Sequence, residues 1–344
     1  AEAKTLLDAV IANGVTTNGK KLALVPSFPD LFKASNDNNS ESIFAVQAAA
    51  NTGSVNNANA DGDLNWPYNT GPNGPGNCCG FFQPSFELGN SYRTKDGLPL
   101  LDGSYNAPAN AVKTDMGLQS SVAFTPDAGE LDPRIDHTIG RRGIQYLDWI
   151  EHPGKNWIRD QTYAGPYSPK KYVYYKRQEN TLTDGSSWTR GYATMNYNII
   201  RFADVLLMAA EAEIEAGTLA KALEYVNLVR ARAANPAGFV MKGGVAEANY
   251  VISPYSAFAD KASAQKAVRM ERMLELATEG HRFFDLVRWG TDVTTLNAYL
   301  SYESKYLVTK FGGASYQATD KYLPIPQAQI DIQGTSILKQ NAGY

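Results

Sequence analysis

The stretch 269–290, RMERMLELATEGHRFFDLVRWG, constrains the fold of this chain more than any other segment. One face of a helix over this region collects Ala267, Met270, Leu274, Ala277, His281 and Phe284, which is typical of a helix that packs against a core. The opposite face carries opposite charges three residues apart, in the pairs Arg272/Glu275, Glu279/Arg282 and Asp285/Arg288. An exposed pair contributes only about 0.2 to 0.5 kcal/mol. So dense a pattern therefore indicates that some of these side chains satisfy buried groups of neighbouring segments.

Two further helices precede this stretch. An apolar stripe ends at Gly217, a residue that commonly stops helices, and Thr218 can cap the helix that follows. Two amphipathic helices joined so closely predict an antiparallel hairpin of the size of a tetratricopeptide unit. The predicted helices are 197–217, 218–234 and 262–287, and they predict a mainly α fold.

The rest of the chain predicts short elements between long irregular loops. A first helix carries the stripe Leu6, Leu7, Val10 and Ile11. Residues 43–47 alternate like a short strand, and KKYVYYKRQ at 170–178 is rich in residues that favour strands. No run approaches the roughly 18 apolar residues of a membrane span. The net charge of −3 gives none of the basic character typical of nucleic-acid binding.

Residues 51–84 form a long segment of Asn, Gly, Pro and aromatic residues without helix or strand periodicity. The segment is either disordered or a functional loop. Disordered segments contain few aromatic residues, whereas Trp66, Tyr68, Phe81 and Phe82 all lie here. Long ordered loops in compact domains are usually functional, so an ordered binding loop is the favoured interpretation.

Motifs of catalysis and metal binding are absent from the sequence. The three histidines show no zinc-site spacing, and no nucleophile elbow, phosphate loop or dinucleotide fingerprint occurs. Asp61, Asp63 and Asn65 resemble the start of a calcium loop, but the glutamate that completes that pattern is missing. We therefore expect neither a metal nor another cofactor. A pair of carboxylates could still make a glycoside hydrolase, and their spacing in space cannot be read from sequence.

The two cysteines, Cys78 and Cys79, are adjacent. Neighbouring Cα atoms lie about 3.8 Å apart across a trans peptide, below the usual disulfide range of about 4.4 to 6.8 Å. A bond between them would therefore need a strained ring, and the alternative is a pair of small buried hydrophobic residues. The surrounding loop offers little core, which favours the vicinal disulfide.

Three blocks of the sequence resemble one known family. ERMLELATEGHRFFDLVRWG is similar to the C-terminal signature of the SusD/RagB family, and every fixed position of that signature is filled. YNIIRFADVLLMAAEAEIEAG with LAKALEYVNLVRARA, and YLPIPQAQIDIQG with LKQNAGY, agree in family order. The resemblance implies a helical scaffold of tetratricopeptide-like pairs. It also implies a non-catalytic glycan-binding lipoprotein of the Bacteroidetes outer membrane, on the extracellular face, that works with a SusC-like TonB-dependent transporter.

The resemblance also predicts the domain organisation. We expect one SusD/RagB-like domain over 1–344, with a loop-rich, ligand-facing portion at 1–192 and a helical signature portion at 193–344. The resemblance implies a longer chain, with a lipidated cysteine and further helices at the N-terminus. The 344 residues are therefore expected to correspond to the C-terminal part of such a protein, as a fragment or a processed form, without the lipid anchor.

Candidate ligand-binding residues follow from what a sugar requires: flat aromatic surfaces for its apolar faces, and amides or charged groups for its hydroxyls. The candidates cluster in the 51–84 loop; they are Trp66 and Tyr68 with Asp63, Asn65, Asn69 and Asn77, followed by Cys78, Cys79, Phe81 and Phe82. Trp157 and Trp188 are weaker candidates. For any single ring, packing in the core is the alternative. Three functions remain open: glycan binding, glycoside hydrolysis and a helical-repeat scaffold that binds only protein.

Overall fold

The computed structural model describes residues 1–50, 65–185 and 190–344, and these form a mainly α structure with short strands. The helices are α1 Glu2–Asn13, α2 Phe86–Ser91, α3 Ile135–Thr138, α4 Gln161–Ala164, α5 Phe202–Ala216, α6 Leu219–Ala233, α7 Lys261–Glu275, α8 Arg282–Arg288, α9 Asp292–Glu303, α10 Val308–Phe311 and α11 Gln327–Gln333. The predicted fold class is thus confirmed. No helix in these three ranges has both the length and the apolar character needed to cross a membrane.

Strands pair only in twos among the described residues. The strands are β1 Ser42–Val46, β2 Thr94–Lys95, β3 Leu98–Pro99, β4 Ile139–Gly140, β5 Ser168–Pro169, β6 Thr183–Asp184, β7 Tyr192–Ala193, β8 Tyr197–Arg201, β9 Met241–Lys242 and β10 Val245–Ala246. The strand predicted at 43–47 is confirmed as β1, which pairs antiparallel with β8. The prediction of a strand at 170–178 is wrong. Tyr172 adopts a left-handed φ of 59° there, which no extended strand contains.

The helical hairpin α5–α6 forms the main core. Its buried small residues, such as Ala209 and Ala222, let the two helices approach closely, and α1 and α7 pack against α5. The Thr218 hydroxyl accepts a hydrogen bond from the Lys221 N–H, which confirms the predicted cap of α6. The helix predicted over 197–217 begins later than expected. Residues 197–201 form β8, because their backbone groups pair with β1 before the chain turns into α5.

The single helix predicted over 262–287 is interrupted. α7 ends at Glu275 and α8 begins at Arg282, because Thr278 and Gly280 take left-handed φ values of 62° and 85°. A cation from another loop satisfies carbonyl groups that the helix end leaves open. The Lys171 ammonium donates to the carbonyls of Glu275 and Ala277 at 3.1 and 2.8 Å.

A network of buried charges holds α7 against the rest of the molecule. Its acidic groups on or just after α7 are Glu271, Glu275 and Glu279, and its cations are Lys171, Arg134, Arg201, Arg230 and Arg232. Arg201 illustrates the geometry, since it lies 2.5 Å from Glu275 and 2.7 Å from Glu279. The expectation that these charges serve neighbouring segments is confirmed for Glu275 and Glu279, whereas Asp285 does pair with Arg288 as the sequence pattern suggested.

The same network sets the ionisation of its carboxyl groups. Burial opposes ionisation of Glu275, but the guanidinium groups of Arg232, Arg201 and Arg134 outweigh it and hold the pKa well below its usual range. Burial likewise opposes ionisation of Glu279, and Arg201 with Lys171 lowers its pKa. These two carboxylates are therefore charged parts of the core.

Candidate functional site

A polar groove lies where two loops meet at the surface. Its cavity has a volume of about 530 Å³ and is lined by residues 68–70 and Asn73 of one loop, by several residues between 150 and 158 of another, and by Gln119. The Tyr68 N–H donates to the Trp157 carbonyl at 2.9 Å, and this main-chain bond fixes the two loops against each other. Loops held in place by a rigid scaffold are common positions for binding residues.

The first loop rests on a layer of buried aromatic rings. Trp66 is fully buried, with the Tyr174 ring edge-on at 6.2 Å between centroids. Gly76 lies directly against the Trp66 ring, where a Cβ would approach ring atoms to 2.4 Å, and its φ is +71°. Its N–H donates to the Tyr174 hydroxyl at 2.7 Å. Only glycine combines this backbone conformation with so close an approach.

Four exposed side-chain amides line the groove, at Asn69, Asn73, Gln119 and Asn156. None of these amides makes a side-chain hydrogen bond to another residue that the structure describes. Each offers two N–H donors and one carbonyl acceptor. The groove thus presents donors and acceptors in the mixture that hydroxyl groups require.

Aromatic rings and a guanidinium border the groove. Tyr68 is half-buried, and the guanidinium of Arg159 lies 5.8 Å from the ring centroids of both Tyr68 and Phe81. Phe81 and Phe82 are 45% and 64% exposed. Gly80 lets the backbone approach Tyr68 closely, because a Cβ at this position would lie only 2.9 Å from the Cβ of Tyr68. The Tyr68 ring therefore offers a flat apolar surface next to the amides.

Trp66 does not offer a face to solvent, so the expectation of an exposed ring at this position is wrong. Its exposed fraction is 0% because it packs in a cluster with Tyr146, Trp149, Trp157, Val173, Tyr174 and Ala193. Burying a ring of this size removes more apolar area from water than almost any other side chain could. Asn65 is also buried, and its side-chain N–H donates to the Lys171 carbonyl at 2.7 Å. Both residues support the loop from below.

The remaining candidates shape the turn beside the groove. The side-chain carbonyl of Asn77 accepts a hydrogen bond from the Gly71 N–H at 3.1 Å. Cys78 and Cys79 are joined by a disulfide, as the sequence interpretation favoured, with Cys78 half-buried and Cys79 buried. Asp61 and Asp63 of the considered calcium loop lie outside the described residues, as does Trp188.

A buried histidine supports the second loop. His152 is 1% exposed and its ring centroid lies 5.4 Å from that of Trp157. Burial lowers its pKa to about 3, with the charges of Lys170 and Arg142 adding to the effect. The neutral ring accepts a hydrogen bond from the Gly154 N–H at Nδ1, at 3.1 Å, and its Nε2 lies 2.8 Å from the Ser168 hydroxyl. It fixes the turn that carries Lys155 and Asn156.

The structure thus brings Tyr68 and Asn69 together with Trp157, which the sequence offered only as a weaker candidate, and Trp157 enters the lining although it is 3% exposed. The neighbouring Asn156 was not selected from the sequence. Gln119 carried no sequence signal at all. The described lining contains no carboxylate, and Lys155 is its one charged side chain. Chemically, this groove can hold a neutral or anionic polyhydroxylated ligand by hydrogen bonds and ring contacts.

Among the described residues, no group of three or more His, Cys, Asp or Glu side chains could hold a metal ion.

The chain is similar to known proteins in sequence and in structure. A family model described as the SusD family matches residues 40–344. A SusD-like protein, P25, from Formosa agariphila is 30% identical over 318 residues, which cover 90% of this chain and 50% of that protein.

Solved structures show the same fold. A SusD superfamily protein from Bacteroides vulgatus matches with a TM-score of 0.62 and 21% identity, over 100% of this chain and 58% of that one. Surface glycan-binding protein A from Bacteroides thetaiotaomicron, solved in complex with laminarihexaose, matches with a TM-score of 0.52 and 22% identity, over 99% of this chain and 59% of that one. The chain therefore spans about half to three-fifths of the length of these relatives.

Proposed function

Because this chain belongs to the SusD family, we propose that it binds an oligosaccharide in the groove at Tyr68 and leaves it chemically unchanged. The observation that carries the proposal is the set of four exposed amides, at Asn69, Asn73, Gln119 and Asn156, beside the Tyr68 ring. Amides bind sugar hydroxyls, and a flat ring packs against the apolar face of a pyranose. A cavity of about 530 Å³ also has the size of a small-ligand site.

Two relatives support a glycan as the ligand class. Surface glycan-binding protein A was solved with laminarihexaose, and a further structural relative is described as a laminarin-binding SusD-like protein. Both share the fold at 22% identity. We propose a glycan for this chain on that likeness together with the chemistry of the groove.

The lining supports binding over hydrolysis. Glycoside hydrolases place two carboxyl groups on either side of the scissile bond, and the described residues of the groove lining contribute none. The third possibility, a scaffold that binds only protein, does not need this groove. Loops build the groove, whereas the helical hairpin α5–α6 forms the core away from it.

The family also suggests where the protein works. We place it on the extracellular face of the outer membrane, held by an N-terminal lipid anchor outside these residues, where it would deliver its ligand to a SusC-like TonB-dependent transporter. In the domain organisation that we propose, residues 1–192 face the ligand and residues 193–344 supply the scaffold. The transporter step can be tested by uptake of a labelled oligosaccharide in cells that carry the groove variants.

A glycan array followed by calorimetric titration of the best oligosaccharide tests the binding. We expect Tyr68→Ala to weaken the affinity about tenfold, because the ring contact is lost. Asn73→Ala and Asn156→Ala should also weaken it. Tyr163→Ala is the matched control, since Tyr163 is 52% exposed but does not line the groove.

Three results would contradict the proposal. The first is the absence of any glycan ligand on the array. The second is a glycan whose affinity the groove variants leave unchanged, which would place the site elsewhere on the chain. The third is cleavage of the bound oligosaccharide, detected by chromatography of the recovered ligand, which would restore the hydrolase interpretation.

A further inference from the structure

The charge of the groove at Tyr68 is opposite in sign to that of the whole chain. The chain contains 35 Asp and Glu residues and carries a net charge of −3. The described residues that line the groove include no carboxylate, and their one charged side chain is the half-buried Lys155. The local field at this surface therefore attracts anions although the protein as a whole is acidic.

The Lys155 ammonium makes no ion pair and no side-chain hydrogen bond within the part of the chain that the structure describes. Its charge acts on the Asp160 carboxylate, which is exposed and does not line the groove. That carboxylate is already engaged as the cap of α4, where it accepts hydrogen bonds from the N–H and the hydroxyl of Thr162 at 2.9 and 2.7 Å. The Thr162 hydroxyl is the main cause of the lowered pKa of Asp160, and Lys155 contributes least to it. Lys155 is therefore available to an anion in the groove.

The acidic residue nearest to Lys155 on the other side in sequence does not reach the groove. Glu151 stands between Ile150 and Pro153, which both line the cavity, but Glu151 itself does not line it. Its carboxylate pairs with the ammonium of Lys242 on β9, outside the lining. The same loop thus places its ammonium in the groove and its carboxylate elsewhere.

A second cation, Arg159, borders the groove. Its guanidinium carbon lies over the Tyr68 ring, 5.8 Å from the centroid, and it forms no ion pair with a carboxylate of the described residues. Trp157 stands midway in sequence between Lys155 and Arg159, and its carbonyl accepts the Tyr68 N–H at 2.9 Å. The segment that is bonded to the Tyr68 main chain therefore carries both cations, one in the cavity and one over the ring.

We propose that the ligand of this groove is an acidic oligosaccharide, with one sugar ring beside Tyr68 and an anionic substituent paired with Lys155, within the field of Arg159. This inference rests on the proposed function and adds the substrate class. The charge comes from a uronic acid carboxylate or from a sulfate ester. Both lie at the periphery of the sugar ring, so its apolar faces remain available to Tyr68. Lysine and arginine bind such groups by charge-assisted hydrogen bonds, and the amides of the groove bind the hydroxyls.

Oligosaccharides that differ only in charge test the inference. The array contains hexamers of galacturonic, glucuronic and mannuronic acid, a sulfated galactose hexamer, and neutral hexamers that include laminarihexaose. Reduction of the carboxyl groups to hydroxymethyl groups, or removal of the sulfate, gives each acidic hexamer a neutral counterpart. We expect an acidic hexamer to bind best and its neutral counterpart to bind about tenfold more weakly. The two arms identify the anion as carboxylate or sulfate.

Variants of the two cations assign the charge effect to the groove. Lys155→Gln should weaken binding of the acidic hexamer about tenfold and should change binding of its neutral counterpart less than about twofold. Arg159→Gln should act in the same direction. Higher salt should weaken binding of the acidic hexamer to the parent more than to Lys155→Gln, because the pair that salt screens is already lost in the variant. A merely structural role of Lys155 would weaken both ligands alike.

The controls separate binding from folding. Lys221→Gln removes a partly exposed lysine and Arg177→Gln an exposed arginine, and neither residue lines the groove. Both variants should bind the acidic hexamer like the parent. Circular dichroism and the melting temperature show whether each variant is folded.

The outcomes distinguish this inference from the function on which it rests. If a neutral hexamer binds as tightly as its acidic counterpart and Tyr68→Ala weakens both, the groove binds glycans but the acidic substrate class is wrong. If the preference for acidic hexamers persists in the Lys155→Gln/Arg159→Gln double variant, the charge is recognised elsewhere and the inference is overturned. If no glycan binds, the proposed function fails and the inference fails with it.

Discussion

At the scale of single residues, the surroundings of a side chain decide its role more than its chemical type does. Trp66 and Phe82 both lie in the same aromatic loop, yet their exposed fractions are 0% and 64%. Trp66 lies beneath the loop against Gly76 and Tyr174, and Phe82 faces water. The same ring chemistry therefore serves the fold at one position and is free for contacts at the other.

We predict opposite stability effects at these two positions. Trp66→Ala should lower the free energy of unfolding by about 3 to 5 kcal/mol, because it leaves a cavity in the aromatic cluster. Phe82→Ala should change it by less than about 0.5 kcal/mol, because the exposed ring loses little contact. Urea unfolding followed by fluorescence and circular dichroism measures both. A larger loss at Phe82 than at Trp66 would show that the assignment of core and surface is incorrect.

A second prediction concerns the buried charges. Glu279→Gln should destabilise the protein by about 3 to 5 kcal/mol, since it leaves Lys171 buried without a carboxylate and removes one of the carboxylates that Arg201 contacts. Glu224→Gln, which breaks an exposed pair with Lys221, should cost at most about 1 kcal/mol. Glycan affinity of the folded Glu279→Gln protein should equal that of the parent. Lost affinity at unchanged stability would assign Glu279 to the ligand instead.

At the scale of elements, helix ends are completed by side chains from distant parts of the chain. The N-terminus of α2 is an example, because the Glu303 carboxylate at the end of α9 accepts hydrogen bonds from the N–H groups of Phe86 and Glu87 at 3.3 and 2.8 Å. Ser85 caps the same helix through the Leu88 N–H. The short helix α2 thus depends on α9 for its first turn.

This junction predicts a pH dependence. Burial raises the pKa of Glu303 to about 7 from its ordinary 4.5, although the two backbone N–H groups favour its ionised form. Between these pH values the folded protein binds more protons than the unfolded chain, so stability contributed by Glu303 falls as the pH rises, by about 3 kcal/mol in total. The sign is thus the reverse of that for a salt-bridged carboxylate.

Urea unfolding between pH 4 and pH 8 measures the effect. Glu303→Gln keeps the side chain neutral at every pH and should flatten the fall in stability between about pH 4.5 and pH 7. Asp160→Asn is a suitable control, since Asp160 is exposed and caps α4. Parallel pH profiles of the parent and the Glu303→Gln protein would contradict the prediction.

At the scale of the whole molecule, charged and neutral groups are buried together, and acid should disturb both. The carboxylates of Glu275 and Glu279 have lowered pKa values, so the stability that they contribute is present above their ordinary pKa and is lost as the pH falls below it. His152 has a pKa of about 3 in the fold, so the unfolded chain binds its proton first. These groups should therefore make the protein less stable as the pH falls.

His152 provides the test at this scale. Below pH 6.5 the unfolded chain gains a proton at this position that the folded protein does not, and stability should fall with pH down to about 3. His152→Asn can keep an acceptor for the Gly154 N–H but does not titrate, so its acid profile should be flatter. The slope of unfolding free energy against pH, and not its absolute value, is the measurement. An unchanged slope would mean that His152 titrates freely in the fold.

The sequence by itself determined the family and the main helices, although not the strand that precedes α5 or the break after α7. Apolar residues at helical spacing in 202–216, 219–233 and 261–275 give helices because each buries one face, and the spacing is a local property of the chain. The signature around Glu275, Glu279 and Asp285 identified the family before any contact was known. The crowded charges there also indicated buried partners, although not which ones.

Only the tertiary structure decided those partners and the shape of the groove. Glu279 pairs with Arg201, 78 positions away, and the groove joins Tyr68 to Trp157, which lie far apart in sequence. Nothing local distinguishes the buried Trp66 from the exposed Phe82, because exposure depends on which other segments arrive at the same place. Burial and charge pairing are properties of neighbours in space, and the chain acquires those neighbours only when it folds.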